Sequence, residues 1–452
     1  MIDSEIFKAY DIRGIYPGQI DRDAAYKIGL ALANQLKPKS IAIGRDMRIS
    51  SDELFDGLSH GINDMGVDVI DLGLCSTDGL YFAVGKYDYH GGVMITASHN
   101  PKEYNGLKIC REKALPLSFQ DGLCRLRDSI NNNSLPPFSP SRGIIARKDI
   151  SKDYAEHCLS FIDISKIKPF KIVIDAGNGM AGLTLPPVLE RLPVETTKLF
   201  FELDGTFPNH PASPIEVENL KDLQNKIAVT KADFGVAFDG DAERMFLVDK
   251  IGKPVGGDMV TALVAKSFLA RNSDETILYN IICSNAVKEL VEKLGGRALV
   301  TEVGHALIKP KMKEHNAIFG GEHSGHFYFR DNWFADSGMI AFLVCLELLS
   351  IEDRDLHEMI GDIDPYFRSG EINSKVELIE QKIKEISEKY SDCKQDRLDG
   401  LTIRFPEYWF NLRASNTEPL LRLNVEANSQ EILDKKVEEL LNIINNKKLT
   451  NE

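Results

Sequence analysis

Three times along this chain an apolar run is followed, 40 to 65 residues later, by two further apolar runs that flank a short polar loop. The leading runs are KSIAIGRD (39–46), FKIVIDAGNG (170–179) and ETILYNIICS (275–284). The trailing segments are VMITASHNPKEYNGLKI (93–109), FGVAFDGDAERMFLV (234–248) and AIFGGEHSGHFYF (317–329). A continuous apolar run, without alternation, predicts a strand covered on both faces of an α/β layer. The copies are too diverged to be a sequence repeat, yet their order of elements is the same. The pattern predicts three similar mixed-sheet α/β domains, each presenting one polar loop, and three converging loops would line one cleft.

At 452 residues the chain is too long for a single hydrophobic core. The segment NNNSLPPFSPSRG (131–143) reads as a linker or surface loop, and further breaks fall near DKIGKPVGG (249–257) and IDPYFRSGE (363–371). The expected domains are therefore 1–150, 151–251, 252–364 and 365–452. The last differs in pattern, with a helix around 374–390, strands around 400–425 and a helix around 429–446, and is expected to be a smaller α+β domain.

Charge narrows the function. A formal net charge of −14 argues against a nucleic-acid partner, and an acidic protein that handles phosphorylated substrates must gather its positive charge locally. Seven cysteines (Cys75, Cys110, Cys124, Cys158, Cys283, Cys345 and Cys393) form no Cys-x-x-Cys pair, so neither a disulfide framework nor a zinc site is expected. The start, MIDSEIFKAYDIRG, has no apolar signal region, and the run Met339–Leu349 is too short to span a bilayer. A reduced, cytoplasmic protein without a membrane partner is expected.

TASHNP (96–101) offers a hydroxyl nucleophile, Ser98, on a loop that the following Asn-Pro turns outward. A serine that carries a phosphoryl group needs a charge-neutralising partner, and Lys108 is placed to be one. DGDAER (239–244) puts carboxylates at alternate positions, Asp239, Asp241 and Glu243. In an extended loop these share a face, so three hard oxygen ligands would converge on Mg²⁺; Arg244 closes the motif and is expected to meet substrate. GEHSGH (321–326) brackets Glu322, Ser324 and His326 with glycines, supplying hydroxyl-binding groups and a titratable imidazole. RASNTEPLLR (413–422) collects Arg413, Ser415, Asn416 and Thr417, a nest for a phosphate dianion, with Arg422 in the next strand. KAYDIRG (8–14) adds Tyr10 and Arg13. A competing reading is a dinucleotide site: Gly177, Gly179 and Gly182 follow a strand in G-x-G-x-x-G order, with Asp204 about 20 residues on. It lacks a coherent hydride-transfer site and leaves four other loops unexplained, whereas a tight strand-to-helix turn accounts for the glycines.

Taken together, KAYDIRG, TASHNP, DAGNG, DGDAER, VGHALIK (303–309), GEHSGH and RASNTEP resemble, in order and over nearly the whole chain, the α-D-phosphohexomutase superfamily, closely its phosphomannomutase/phosphoglucomutase group. The resemblance implies four domains around a central cleft. It implies that Ser98 is a phosphoserine whose phosphate completes a Mg²⁺ site made by Asp239, Asp241 and Glu243. Arg13, Lys108 and His305 match positions of charge stabilisation and proton transfer, and His326 matches a substrate-contacting histidine. Glu322 and Ser324 match contacts to sugar hydroxyls, with Arg413, Ser415, Asn416 and Thr417 at the distal phosphate. One position departs: the third acid is usually Asp in the family and is Glu243 here, one methylene longer.

The implied reaction interconverts hexose 6-phosphate and hexose 1-phosphate through a hexose 1,6-bisphosphate that turns end over end. GEHSGH favours mannose phosphate, with glucose phosphate also accepted. Phosphoglucosamine mutase is the alternative substrate reading, and an aspartyl phosphatase using Asp239 is the alternative of another class. The partner is a small phosphosugar, and the protein a monomer or homodimer.

Overall fold

The computed structural model describes residues 2–135, 137–415 and 420–445, leaving the side chain of His305 outside that description. Asn416 and Thr417 likewise lie outside the described residues.

The first sheet holds β1 (Ile12–Ile15), β2 (Ser40–Arg45), β3 (Asp68–Leu74), β4 (Gly91–Ile95), β5 (Tyr104–Arg111) and β6 (Ile145–Arg147), in the order β1-β5-β4-β2-β3-β6. The second holds β7 (Lys171–Asp175), β8 (Glu195–Leu199), β9 (Phe234–Phe238), β10 (Met245–Asp249) and β11 (Pro254–Val255), in the order β11-β10-β9-β7-β8. The third holds β12 (Thr276–Asn280), β13 (Arg297–Thr301), β14 (Phe319–Gly321) and β15 (Phe327–Phe329), in the order β13-β12-β14-β15.

The recurring pattern has a common geometry. The leading runs are β2, β7 and β12, which pair in parallel with β4, β9 and β14. Each of those then turns back as an antiparallel pair, with β5, β10 and β15. The polar loop is the connection in each pair, so Ser98, the 239–244 acids and the 322–326 segment all leave the carboxyl end of a central buried strand. Every residue of β4, β9 and β14 is buried, as runs without alternation require.

A fourth sheet, β16 (Phe367–Ser374), β17 (Gln395–Asp396), β18 (Leu401–Arg404), β19 (Tyr408–Ala414) and β20 (Leu421–Ala427), runs β16-β20-β19-β18-β17 and carries helices Ile379–Lys389 and Gln430–Ile444. The tail helix expected from 374 starts at Ile379, because Phe367–Ser374 is drawn into β16 against β20.

One hydrophobic cluster runs continuously through the first three sheets, from Leu80 and Tyr81 through Ile172 and Phe238 to Ile277 and Phe342. The fourth sheet has a core of its own, around Ile386, Phe410, Leu423 and Leu440. What joins it to the third sheet is polar. Glu426 Oε1 accepts from Asn285 N at 3.0 Å, Arg404 donates to Asn285 Oδ1 at 2.9 Å, and Asp399 Oδ2 accepts from Val303 N at 3.0 Å.

The first and third sheets meet at an aromatic joint. Trp333 stacks on His157 at 5.3 Å between ring centroids and meets Phe82 edge-on at 6.2 Å. Gly85, in the helix Thr77–Lys86, lies against the indole so closely that a Cβ there would fall 2.2 Å from Trp333 Cδ2. Gly85→Ala should therefore force the indole aside and cost about 1–3 kcal/mol. Thermal unfolding should show the first transition several degrees lower; an unchanged transition would mean the joint yields freely.

Candidate active site

The three loops meet over a cavity of about 640 Å³ that Tyr10, Arg13, Ser98, Lys108, Glu243, Arg244, Glu322, Ser324, His326 and Arg422 all line. Ser98 follows β4 in the left-handed region, φ 50°, an uncommon conformation for a residue with a side chain, costing of order 1 kcal/mol or more. Its amide donates to Thr96 Oγ1 at 2.9 Å and its hydroxyl to Asp239 Oδ2 at 2.8 Å. His99 Nδ1 lies 3.4 Å from the same Oγ. Burial and then the charge of Arg244 and Arg13 press the His99 imidazole well below the usual range, so it is neutral.

The acidic loop is a tight turn, not the extended segment expected. Ala242 takes φ 57° and its amide donates to Asp239 O at 2.9 Å. Asp239 faces Arg244, accepting from its amide at 2.9 Å and its Nε at 2.8 Å. Asp241 Oδ2 accepts from Thr77 Oγ1 and from Lys108 Nζ, each at 2.7 Å. Glu243 Oε2 accepts from Lys108 Nζ at 2.6 Å. Alternation along the chain is thus not what brings these groups together; Lys108, reaching across from β5, does so. Among the described residues, the trio of acidic and histidine side chains whose ligand atoms all lie within 4.8 Å of one another is Glu243, His326 and Asp336, not the three loop acids.

Electrostatics follow from burial in a crowd of charge. Desolvation pushes the Asp241 carboxyl up, but the adjacent Lys108 ammonium overrides it and holds the group below the carboxylate range. Burial, and then the charge of Asp336, raise Glu243 to about 7. Burial would lower Lys108, yet Asp241 and Glu243 outweigh it and keep the ammonium charged. His326 Nδ1 lies 2.8 Å from Asp336 Oδ2; burial would lower the imidazole, and this hydrogen bond, with Glu243 behind it, raises it instead. Lys309, 2% exposed, sits 2.7 Å from Asp336 Oδ1 and over the Tyr81 ring.

The remaining expected residues divide. Arg13 donates to Asn100 Oδ1 at 2.6 Å and to Asp11 Oδ2 at 2.5 Å while facing the cavity. Glu322 uses Oε1 for Gly304 N at 2.8 Å and Oε2 for Tyr328 Oη at 2.7 Å, so it braces the cavity wall as well as lining it. His305 is the first residue of the helix His305–Glu314. Arg413 is not brought to the cavity wall: 2% exposed, it donates to Glu371 Oε2 at 2.7 Å, and Arg422, 3.2 Å from Glu371 Oε1, lines the cavity. Ser415, whose amide donates to Leu420 O at 2.9 Å, follows the end of β19. Sequence reasoning missed Thr77, Lys309, Asp336 and Glu371. Each is a single residue whose partner is distant in sequence; a Ser-Thr-Asp helix start is the one local signal, and it marks only a cap.

The comparisons with known proteins agree with this architecture. Residues 4–134, 152–252 and 256–366 match the phosphoglucomutase/phosphomannomutase alpha/beta/alpha domains I, II and III, and residues 371–443 match the C-terminal domain of the same proteins. A protein of Xanthomonas campestris pv. campestris named for phosphohexose mutases is 40% identical over 442 residues, 97% of this chain and 98% of its own length. A phosphomannomutase of Escherichia coli is 38% identical over 449 residues, again 97% and 98%. The crystal structure of a phosphoglucomutase/phosphomannomutase family protein from Burkholderia thailandensis superposes with a TM-score of 0.89 at 31% identity, covering 100% of this chain and 99% of that one. The chain belongs to the phosphoglucomutase/phosphomannomutase family, within the α-D-phosphohexomutase superfamily. It is a phosphohexomutase, an isomerase that relocates phosphate on a hexose.

Lys108→Met tests what holds the acids together. Without the ammonium, Asp241 and Glu243 are buried with no cation between them, and the loss should be about 3–5 kcal/mol in chemical denaturation with EDTA present. A loss under about 1 kcal/mol would show that the ammonium is not the organising charge.

Proposed function

We propose that the enzyme interconverts mannose 6-phosphate and mannose 1-phosphate, and also the glucose phosphates, through a phosphoserine at Ser98. The observation that carries this reading is the placement of Ser98 Oγ in the cavity, 2.8 Å from Asp239 Oδ2, beside Lys108, Arg13 and Arg244. In the first half-reaction the Ser98 Oγ–P bond breaks and a bond forms from phosphorus to the free C1 or C6 oxygen of the sugar. The hydroxyl proton passes to a base, His326 on the cavity wall or the family-matched His305, whose side chain lies outside the described residues. The freed Ser98 Oγ receives that proton in turn. The hexose 1,6-bisphosphate turns over, and Ser98 Oγ takes the other phosphate as the bond from that phosphorus to the sugar oxygen breaks. The serine proton returns by the same base to the sugar oxygen released. Little covalent chemistry falls to the protein, so positioning and charge account for the rate. Asp239 as nucleophile is disfavoured, because both its oxygens are engaged by Arg244 and Ser98.

The residues fit a Mg²⁺ ion. Asp241 Oδ1 is buried without a hydrogen-bond partner, which a hard cation would supply. Three carboxylates face the cations Lys108 and Arg244, so a phosphate on Ser98 adds negative charge that calls for more positive charge. Asp239, Asp241, Glu243 and the Ser98 phosphate would hold the ion, which supplies electrostatic stabilisation to the transferring phosphoryl group. Arg422 and Arg413, held by Glu371, together with Ser415, Asn416 and Thr417, would receive the phosphate that is not reacting. Glu322 and Ser324 would meet sugar hydroxyls. Among the described residues no helix is long and apolar enough to cross a membrane, and none of the seven cysteines is paired. Each chain carries a complete cavity, which suits a monomer or a homodimer alike.

Ser98→Ala should lower turnover by roughly 10³-fold or more, and intact-protein mass spectrometry should find the added phosphate on wild type and not on the variant. Near-normal turnover of Ser98→Ala with an inactive Asp239→Asn would install the aspartyl-phosphatase reading instead. In a coupled assay, kcat/KM for mannose and glucose phosphates should agree within about tenfold and exceed that for glucosamine phosphate by more than that. A preference for glucosamine phosphate would move the enzyme to the phosphoglucosamine mutases.

A further inference from the structure

Behind the nucleophile loop lies a cation that does not itself line the cavity. Arg48 follows β2 by three residues, and its side chain is wholly buried. Its guanidinium meets four main-chain carbonyls, three on the loop between β4 and β5 and one at the first residue of β5. Nη2 donates to Ser98 O at 2.9 Å and Asn100 O at 2.6 Å. Nη1 donates to Pro101 O at 2.8 Å and Tyr104 O at 2.9 Å. The carboxylate of Asp46 lies 3.3 Å from Nε and balances the charge; it is itself fixed by Arg48 N at 3.0 Å and Ser51 Oγ at 2.8 Å.

The second domain closes over this arrangement. The Arg48 guanidinium carbon lies 5.1 Å from the Phe207 ring centroid, and Gly205 approaches so closely that a Cβ there would be 2.7 Å from Arg48 Cα. Four carbonyls turned towards one point repel one another, although Pro101 O also accepts from Tyr104 N at 3.0 Å. A cation with several donors in a rigid plane can satisfy all four, which the compact ammonium of lysine cannot do. One of the four carbonyls belongs to Ser98, whose φ of 50° needs surrounding structure to hold it.

We propose that Arg48 is a positioning residue for phosphoryl transfer. Its guanidinium fixes the 98–104 backbone so that Ser98 Oγ stays aligned with Asp239 and with the incoming phosphorus. It acts through the main chain and contacts no substrate. This rests on the reading of Ser98 as the phosphoryl carrier. A displacement of about 1 Å at a reacting atom suffices for a hundredfold loss of rate.

Arg48→Lys should lower kcat about a hundredfold in both directions while KM stays within about threefold. Phosphorylation of Ser98 by glucose 1,6-bisphosphate, followed by intact mass, should slow in parallel. Arg45→Lys is the control: Arg45 ends the same strand and is paired with Asp52 at 2.7 Å and Asp71 at 2.8 Å, away from the nucleophile loop. It should leave kcat unchanged at a comparable loss of thermal stability. Near-wild-type kcat for Arg48→Lys, or an equal loss for Arg45→Lys, would overturn the proposal. Should Arg48→Lys fail to fold, hydrogen exchange of the wild-type protein decides. The amides of Ser98, Asn100 and Tyr104 should be protected to within about tenfold of the β4 amides, and exchange at open-loop rates would refute the clamp. That measurement does not depend on turnover, so it stands apart from the outcome for Ser98→Ala.

Discussion

The site depends on one ammonium group shared by two buried acids. Lys108 leaves β5 in the first sheet and meets Asp241 and Glu243 on the β9–β10 loop of the second. Neither carboxylate could stay charged in that interior alone, and both owe their place to the same nitrogen. Thr77 adds a second tie from the first sheet to Asp241. The Ser98 loop and the acidic loop are therefore held in register by polar contacts between domains, on top of the continuous apolar core beneath.

That core explains why the register can be so tight. Sheets one to three share a single hydrophobic cluster, so the strand ends carrying the loops cannot drift independently. The loops supply chemistry, and the shared core supplies the fixed distances between them. Helix Gly338–Glu352, nearly all buried, is the clearest sign of this: it has no solvent face because it packs between domains.

Much of this was legible in the sequence because the strands are long apolar runs and the loops are compact. TASHNP, DGDAER and GEHSGH each carry their reactive groups within six residues, so the order of motifs reveals both the plan and the chemistry. The details that escaped are long-range. Thr77 bonds a residue 164 positions away, and Arg48 binds carbonyls, which leave no trace in side-chain identity. The extended reading of the acidic loop failed because Ala242 turns left-handed, a backbone choice its side chain does not announce. Arg413, the more obvious phosphate ligand by motif, is buried on Glu371 while Arg422, its cross-strand partner on the same face, lines the cavity; a carboxylate 42 residues upstream holds both, and the motif does not announce it.

The fourth sheet has a different relation to the rest, through its separate core and its polar seam at Asn285, Arg404, Asp399 and Glu426. Tilting this domain would exchange these hydrogen bonds for water, and none of those four residues is apolar. Heat capacity on opening should accordingly be small, since apolar exposure is what raises it. The balance between open and closed cleft then varies only gently with temperature. A hexose phosphate held in the cleft would meet nearly the same enclosure in a cold cell as in a warm one.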